Sequence, residues 1–284
     1  MLSYRHAFHV GNYADVLKHF IVCRILTYLT QKSSAVRYID THAGAGVYPL
    51  AAAETEKLGE YRQGISLLRK LAPSAMPESV GQYMALVNQL NSANELSLYP
   101  GSPWFAHKIL RSQDRLNIFE LQSTEFNALQ QLFSTDSRVS VLREDGFKGV
   151  RALLPPRTET RAFVLIDPSY EMKQEYRKIP ELVTELHKKF STGVFAVWYP
   201  VVGDYSRTLL KAFELSGIKK IARFELARSA NVNAKGMRAT GMLVVNPPWT
   251  LANDVAEFFS LFAPLVDEDT GKGLAINDWL VGER

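Results

Sequence analysis

The segment "FVLIDPSY", Phe163 to Tyr170, runs four apolar residues into an aspartate, a proline, a serine and a tyrosine. It reads as a buried strand closed by a carboxylate. The chemistry suited to that ending is transfer of a group onto the exocyclic amine of a nucleobase. The lone pair of such an amine is delocalised into the ring, and its protons are barely acidic. Acceptors can nevertheless hold the amine in line and stabilise the positive charge that develops on it. Asp167 is one acceptor, ionised at neutral pH from a reference pKa of ~3.9. The Pro168 carbonyl is the other, preset by the fixed φ of proline. Tyr170 is expected to offer a face on which an extruded base stacks, worth ~1–3 kcal/mol in comparable systems. A second stretch, "MLVVNPPW" at 242–249, is a rival. Its Asn246 is neutral and stabilises positive charge less.

The ends of other apolar runs carry a matching set of groups. "AVRYID" (35–40) leads into "DTHAGAG", with Asp40, His42, Gly44 and Gly46. Two glycines two apart allow a tight turn and close approach of the backbone to a ligand. The third glycine of a dinucleotide fingerprint is missing, because position 49 is proline, so a diphosphate cradle fits poorly. "RLNIFE" closes on Glu120, placed to accept hydrogen bonds from ribose hydroxyls. "RVSVL" is followed by "EDGF", where Asp145 can face an exocyclic amine. Each acid has a plainer reading as a helix cap or solvated loop. Their shared position describes a pocket for a nucleoside without a phosphate clamp. S-adenosylmethionine, an adenosine bearing a sulfonium, is such a ligand.

The elements that must position these groups are strands alternating with helices. Apolar runs at 35–40, 115–120, 138–142, 162–167, 193–199 and 241–246 alternate with helix-like stretches such as 122–133, 173–190 and 204–216. The expected fold is α/β, a doubly wound, mostly parallel sheet, whose ligand lies outside the carboxyl ends of the strands. Residues 51–97 lack a strand-like run and read as helices at 54–70 and 78–91, so they are taken as a helical insertion.

The chain has 284 residues, 46% of them hydrophobic, enough for one large α/β domain or two small ones. One cysteine, Cys23, rules out a disulfide framework or thiolate cluster within one chain. The polar N-terminus lacks a signal peptide's apolar core, and no run approaches the ~20 apolar residues of a membrane helix. A soluble cytoplasmic protein is expected. The net charge of +4 is uneven. Residues 205–238 hold eight basic side chains against two acidic ones, and 251–284 hold seven acids against two bases. The basic segment suggests contact with a polyanion, or simply a solvated face.

"DPSY" resembles the D-P-P-Y signature of adenine-N6 and related amino-methyltransferases. The likeness widens through "MLSYRHAFHVGNYADVLKH", "DTHAGAG", "YPGSP", "FELQ", "EDGF", "DPSYEMK", "WYPVV" and "GMLVVNPPW", in that order. Over essentially its whole length the chain resembles the RlmJ family of bacterial large-subunit ribosomal RNA methyltransferases. That resemblance implies a class I S-adenosylmethionine-dependent methyltransferase, Rossmann-like over 1–50 and 98–284, with a small helical insertion subdomain at 51–97. It implies methyl transfer to N6 of one adenine of 23S rRNA, adenine 2030, by a protein expected to act as a monomer with no membrane partner. It carries Lys18, His19, His42, Ser102, Glu120, Asp145 and Gly146 onto cofactor-binding positions, with Asp40, Gly44 and Asp167 beside them. Asp167 falls on the catalytic acid, and Tyr4 on a residue meeting RNA. Arg5, His6 and Lys18 are expected to be partly available to phosphates. Ser169 departs from the second proline, which loosens one φ restraint. In this fold the last strand runs antiparallel, which turns "NPPW" away from the cofactor. Asn246 and Trp249 are therefore expected to be structural, with Trp249 packed.

His6 and His9 have a metal-like spacing, but no compact ligand set accompanies them, and no metal is expected. A DNA adenine-N6 methyltransferase would share the chemistry, yet would usually carry a longer target-recognition segment. A non-catalytic RNA-binding protein with a vestigial cofactor pocket is the reading from another class.

Overall fold

The computed structural model describes residues 5–93, 95–229, 237 and 239–283. The elements in chain order begin with α1 (Tyr13–Leu29), β1 (Val36–Asp40), β2 (Val47–Pro49), α2 (Ala53–Leu58), α3 (Ile65–Arg69), α4 (Glu78–Asn88), β3 (Leu98–Pro100), α5 (Ser102–Ile109), β4 (Arg115–Phe119) and α6 (Ser123–Leu132). They continue with β5 (Val139–Leu142), α7 (Gly146–Leu153), β6 (Arg161–Ile166), α8 (Glu175–Lys189), β7 (Val194–Val201), α9 (Gly203–Glu214), β8 (Ile221–Ala227), β9 (Ala239–Val245), α10 (Leu251–Val266) and β10 (Leu274–Val281).

Eight strands form one sheet in the order β10-β8-β9-β7-β6-β1-β4-β5. From β5 to β7 the pairs are parallel, and β9 lies antiparallel between β7 and β8. Alternation along each strand sends side chains to two cores. Tyr38, Phe163 and Leu165 enter the layer with α1, α5 and α10. Ile39, Val164 and Ile166 enter the layer with α8 and α9. The chain steps from β1 outward to β4 and β5, then crosses back to β6 and β7. The crevice at that reversal, at the carboxyl ends of β1, β4 and β6, is where such sheets take ligands.

All six expected strands form. The helix expected at 54–70 is broken at Gly59 and Gly64 into α2, a short 3-10 turn and α3. Side chains of α3 and α4, among them Ile65, Leu68, Tyr83 and Val87, join the same core as α1. Besides the short pair β2 and β3, which form a separate two-stranded sheet, two strands of the large sheet went unread, β8 and β10. They pair antiparallel in the basic and acidic segments. Among the described residues no helix is long and apolar enough to cross a membrane.

Trp249 does not pack as expected: it is 79% exposed. The turn is held instead by Asn246, whose amide donates to the Ser191 and Gly193 carbonyls at 2.8 Å each. That places "NPPW" at the amino end of β7, opposite the crevice.

Candidate active site

A cavity of about 400 Å³ opens at the carboxyl ends of the parallel strands, within the range of small-molecule and cofactor sites. Its wall includes His6, Lys18, His19, His42, Gly44, Ser102, Glu120, Asp145, Gly146, Asp167 and Pro168. Eleven sequence-predicted residues therefore meet in one place. Three described ones do not line it, Asp40, Tyr170 and Arg5.

The turn after β1 is built for close approach. Gly44 sits at φ +63°, and its N–H donates to Glu120 Oε2 at 2.9 Å. Glu120 also accepts from the Gln122 N–H at 2.7 Å. Burial pushes the Glu120 carboxyl up to about 7, against the pull of the Gln122 and Gly44 amides. Gly146 opens α7 against the same turn. A Cβ there would lie 2.1 Å from the Thr41 carbonyl oxygen, so no other residue fits without moving the backbone. Asp145 caps α7, accepting from the Phe147 N–H at 2.9 Å, and still lines the cavity. The cap reading is realised, and the carboxylate lies in the cavity wall as well.

Asp40 requires a correction. It is fully buried and accepts from the Tyr38 hydroxyl (2.8 Å), the Ser102 hydroxyl (2.6 Å) and the His42 N–H (3.2 Å). It holds the floor of the turn, because three donors point at it from the protein.

The Asp167 end of the cavity is governed by a buried charge row. The Asn12 side chain caps α1 by accepting from the Asp15 N–H at 2.9 Å. Asp15 pairs with His6 Nε2 at 3.0 Å and with Lys18 Nζ at 2.9 Å. Lys18 Nζ reaches Asp167 Oδ2 at 2.6 Å. Burial pushes the Asp167 carboxyl up and Lys18 pulls it down, leaving it raised to about 6, still mostly ionised at neutral pH. Burial pushes the Lys18 ammonium down, but Asp15 and Asp167 outweigh it and raise it. Burial likewise lowers the His6 imidazole, and Asp15 overcomes it to raise the ring above its usual range. His19 is held well below its usual range by burial and by Lys18, so it is neutral, with Nδ1 2.9 Å from the Tyr99 hydroxyl.

Two expectations fail here for the same reason, burial. Lys18 is not available to phosphates, because two carboxylates enclose it. Tyr170 offers no open face. It is 7% exposed, its hydroxyl donates to the Trp198 carbonyl at 2.7 Å, and its ring packs 4.5 Å from that of Tyr176. Of the residues expected to meet RNA, Arg5 is exposed and pairs with Glu54 at 3.2 Å. His6 sits on Asp15, and Tyr4 lies outside the described residues.

Sequence reasoning missed Asp15, Met172, Trp198, Pro200 and Met237, which also line the cavity. Asp15 was readable as the residue three before Lys18 on a helix capped by Asn12. The others come from loops and strands distant in sequence. Met172, Trp198, Pro200 and Pro168 contribute apolar lining beside the polar groups. Glu175 lies in the same wall, and its Oε2 is buried without a hydrogen-bond partner among the described residues. Among those residues no group of three His, Cys, Asp or Glu is arranged to hold a metal.

The family model described as "RsmJ: Ribosomal RNA large subunit methyltransferase D, RlmJ" matches residues 33–281. The chain is 42% identical over 286 residues to Ribosomal RNA large subunit methyltransferase J of Haemophilus influenzae, covering 100% of both chains. It is 41% identical over 285 residues to the protein of that name from Escherichia coli, again covering 100% of both. The crystal structure of protein LPL1258 from Legionella pneumophila superposes with a TM-score of 0.88 at 35% identity, over 97% of this chain and 99% of that one. The sheet order, the acidic strand ends and the Asp167-Pro168 turn are thus set in a chain that belongs to the RlmJ family.

Proposed function

We propose that this chain transfers a methyl group from S-adenosylmethionine to N6 of an adenine in 23S rRNA, adenine 2030 by its relationship to the RlmJ family. The observation that carries the reading is the Asp167 carboxylate. It stands at the end of β6 in the cavity wall, beside Pro168, with one oxygen held by Lys18.

The cavity suits the cofactor. Glu120 is positioned for ribose hydroxyls and Asp145 for the adenine amine of the cofactor. Gly44 and Gly146 keep the backbone low enough for contact. Six carboxyl groups on the wall, Asp15, Glu120, Glu125, Asp145, Asp167 and Glu175, outnumber its cations and favour a cationic ligand. When bound there, S-adenosylmethionine supplies an electrophilic methyl on sulfur. The protein's own work is positional and electrostatic. Asp167 accepts one N–H of the target amine through Oδ1, while Lys18 holds Oδ2. The Pro168 carbonyl accepts the second N–H. The amine lone pair is then aimed along one line, and the carboxylate stabilises the positive charge that grows on nitrogen. Its excess proton leaves after transfer, with Asp167 as the nearest base. Pro168, Trp198, Pro200 and Met172 form a slot in which a base is sheltered from water. Trp198 takes the place that sequence assigned to the Tyr170 ring.

We take 1–50 and 98–284 as the methyltransferase body, with 51–97 as the helical insertion, and the site of action as the bacterial cytoplasm. The test compares methyl incorporation into protein-free 23S rRNA and into duplex DNA, followed by nucleoside mass spectrometry. The reading predicts N6-methyladenosine in the rRNA alone. Preference for duplex DNA would favour the DNA-methylating alternative, and failure to bind S-adenosylmethionine in calorimetry the non-catalytic one.

A further inference from the structure

Tyr170 is buried, yet the packing around it extends outward. Trp198 in the cavity wall lies 5.8 Å from Tyr170 by ring centroids. Tyr170 lies 4.5 Å from Tyr176, and Tyr176 lies 5.5 Å from Tyr205 with planes 28° apart. Four aromatic rings thus run from the cavity to the surface. The last, Tyr205, is 38% exposed, and Lys173 Nζ sits 5.1 Å from its ring centroid. Two further apolar side chains stand open at the same rim, Met172 at 45% and Val202 at 37%. They come from the loops after β6 and β7, which the parallel pairing of Ile166 with Val197 sets side by side. Asp204, on the same rim, is engaged by Arg207.

An exposed ring with a cation on it, joined to the slot proposed for a base, is the arrangement by which proteins stack single-stranded nucleotides. A nucleotide uses both parts, the ring for its base and the ammonium for its phosphate. Because the aromatic row is packed ring against ring down to the cavity wall, Tyr205 is held in place before RNA arrives.

We propose that Tyr205, flanked by Met172 and Val202, is the stacking platform for the unpaired RNA nucleotide next to the target adenine, and that Lys173 meets its phosphate. The proposal rests on the cavity being the adenine site. The experiment uses the full chain and a 23S rRNA fragment containing the target, with steady-state kinetics and cofactor calorimetry. Tyr205→Ala is expected to raise KM for RNA by roughly 5- to 150-fold, the scale of one lost base stack, with cofactor affinity unchanged. Tyr205→Phe should restore it. An abasic residue on one side of the target should erase the difference between wild type and Tyr205→Ala. Lys173→Ala should raise KM and lower the salt slope by roughly 0.7, one phosphate contact on a single strand. An unchanged KM in Tyr205→Ala, or a difference that survives abasic substitution on both sides, would overturn the platform. Absence of methylation by the wild type would overturn the adenine-site reading, and the platform with it.

Discussion

Lys18 sets the working state of Asp167. A buried carboxylate at about 6 is ionised near neutrality and gains its proton as pH falls. The acidic limb of the rate profile should therefore bend near pH 6 and drop about tenfold per unit below it. Lys18→Met removes the cation that opposes burial and leaves Asp15 as a like charge nearby. The limb should move upward, and a pH series of kcat/KM measures it; an unmoved limb would mean that the pair does not tune the reaction. Glu120 makes a second prediction. Hydroxyls donating to its carboxylate favour the charged form, so its pKa falls from about 7 when the cofactor binds. Cofactor affinity should rise with pH up to about 7 and level off above it. Calorimetry at pH 6.5 in two buffers of different ionisation enthalpy should show proton release. Asp167 was legible in sequence because strand, acid and proline adjoin. Its pairing with Lys18 was not, since 149 positions separate them. Tyr170 was misread because its left-handed turn (φ 56°) and its hydrogen bond to the Trp198 carbonyl carry it into the core, which a linear motif does not reveal.

At the scale of elements, the two proline turns are separated by the direction of their strands. β6 delivers Asp167 to the crevice, and antiparallel β9 delivers Asn246 to the other end. Asn246 occupies a left-handed conformation that asparagine tolerates better than most residues. Asn246→Ala loses two hydrogen bonds and that tolerance, so the expected cost is about 1–3 kcal/mol of stability, with kcat unchanged. Denaturant unfolding and steady-state rates check both halves. Five of the six apolar strands were readable because each is buried on two faces, and edge strand β5, which is only partly buried, because Val139, Val141 and Leu142 keep its run apolar. β8 and β10 were not, because charged residues on their partly exposed faces masked an alternating pattern. The seventeen-residue helix expected from residue 54 ignored the breaking tendency of Gly59 and Gly64.

Over the whole molecule, the uneven charge is an internal match before it is a footprint. Arg223 pairs with Asp278 across β8 and β10 at 2.5 Å, Lys220 with Glu283 at 2.6 Å, and Arg228 with Glu268 at 3.4 Å. The basic segment suggested RNA in sequence because the acids that answer it lie about fifty residues later. Lys235 and Arg238 of that segment lie outside the described residues. Arg223→Glu should leave RNA affinity and its salt slope unchanged in filter binding. A weaker affinity with a shallower slope would return Arg223 to the RNA contact surface. Total charge thus locates a polyanion site poorly, whereas the strand-end acids Glu120, Asp145 and Asp167 meet at one cavity, because the parallel sheet gathers its carboxyl ends into one crevice.

The central claim is that Asp167 holds the target amine for methyl transfer. Single-turnover methylation of a 23S rRNA fragment by wild type and Asp167→Ala, at saturating RNA and cofactor, tests it most directly. The account predicts N6-methyladenosine as the wild-type product, a rate at least ~10²-fold lower in the variant and cofactor affinity nearly unchanged. Equal rates in the two proteins, or a wild-type product methylated on another atom, would contradict it.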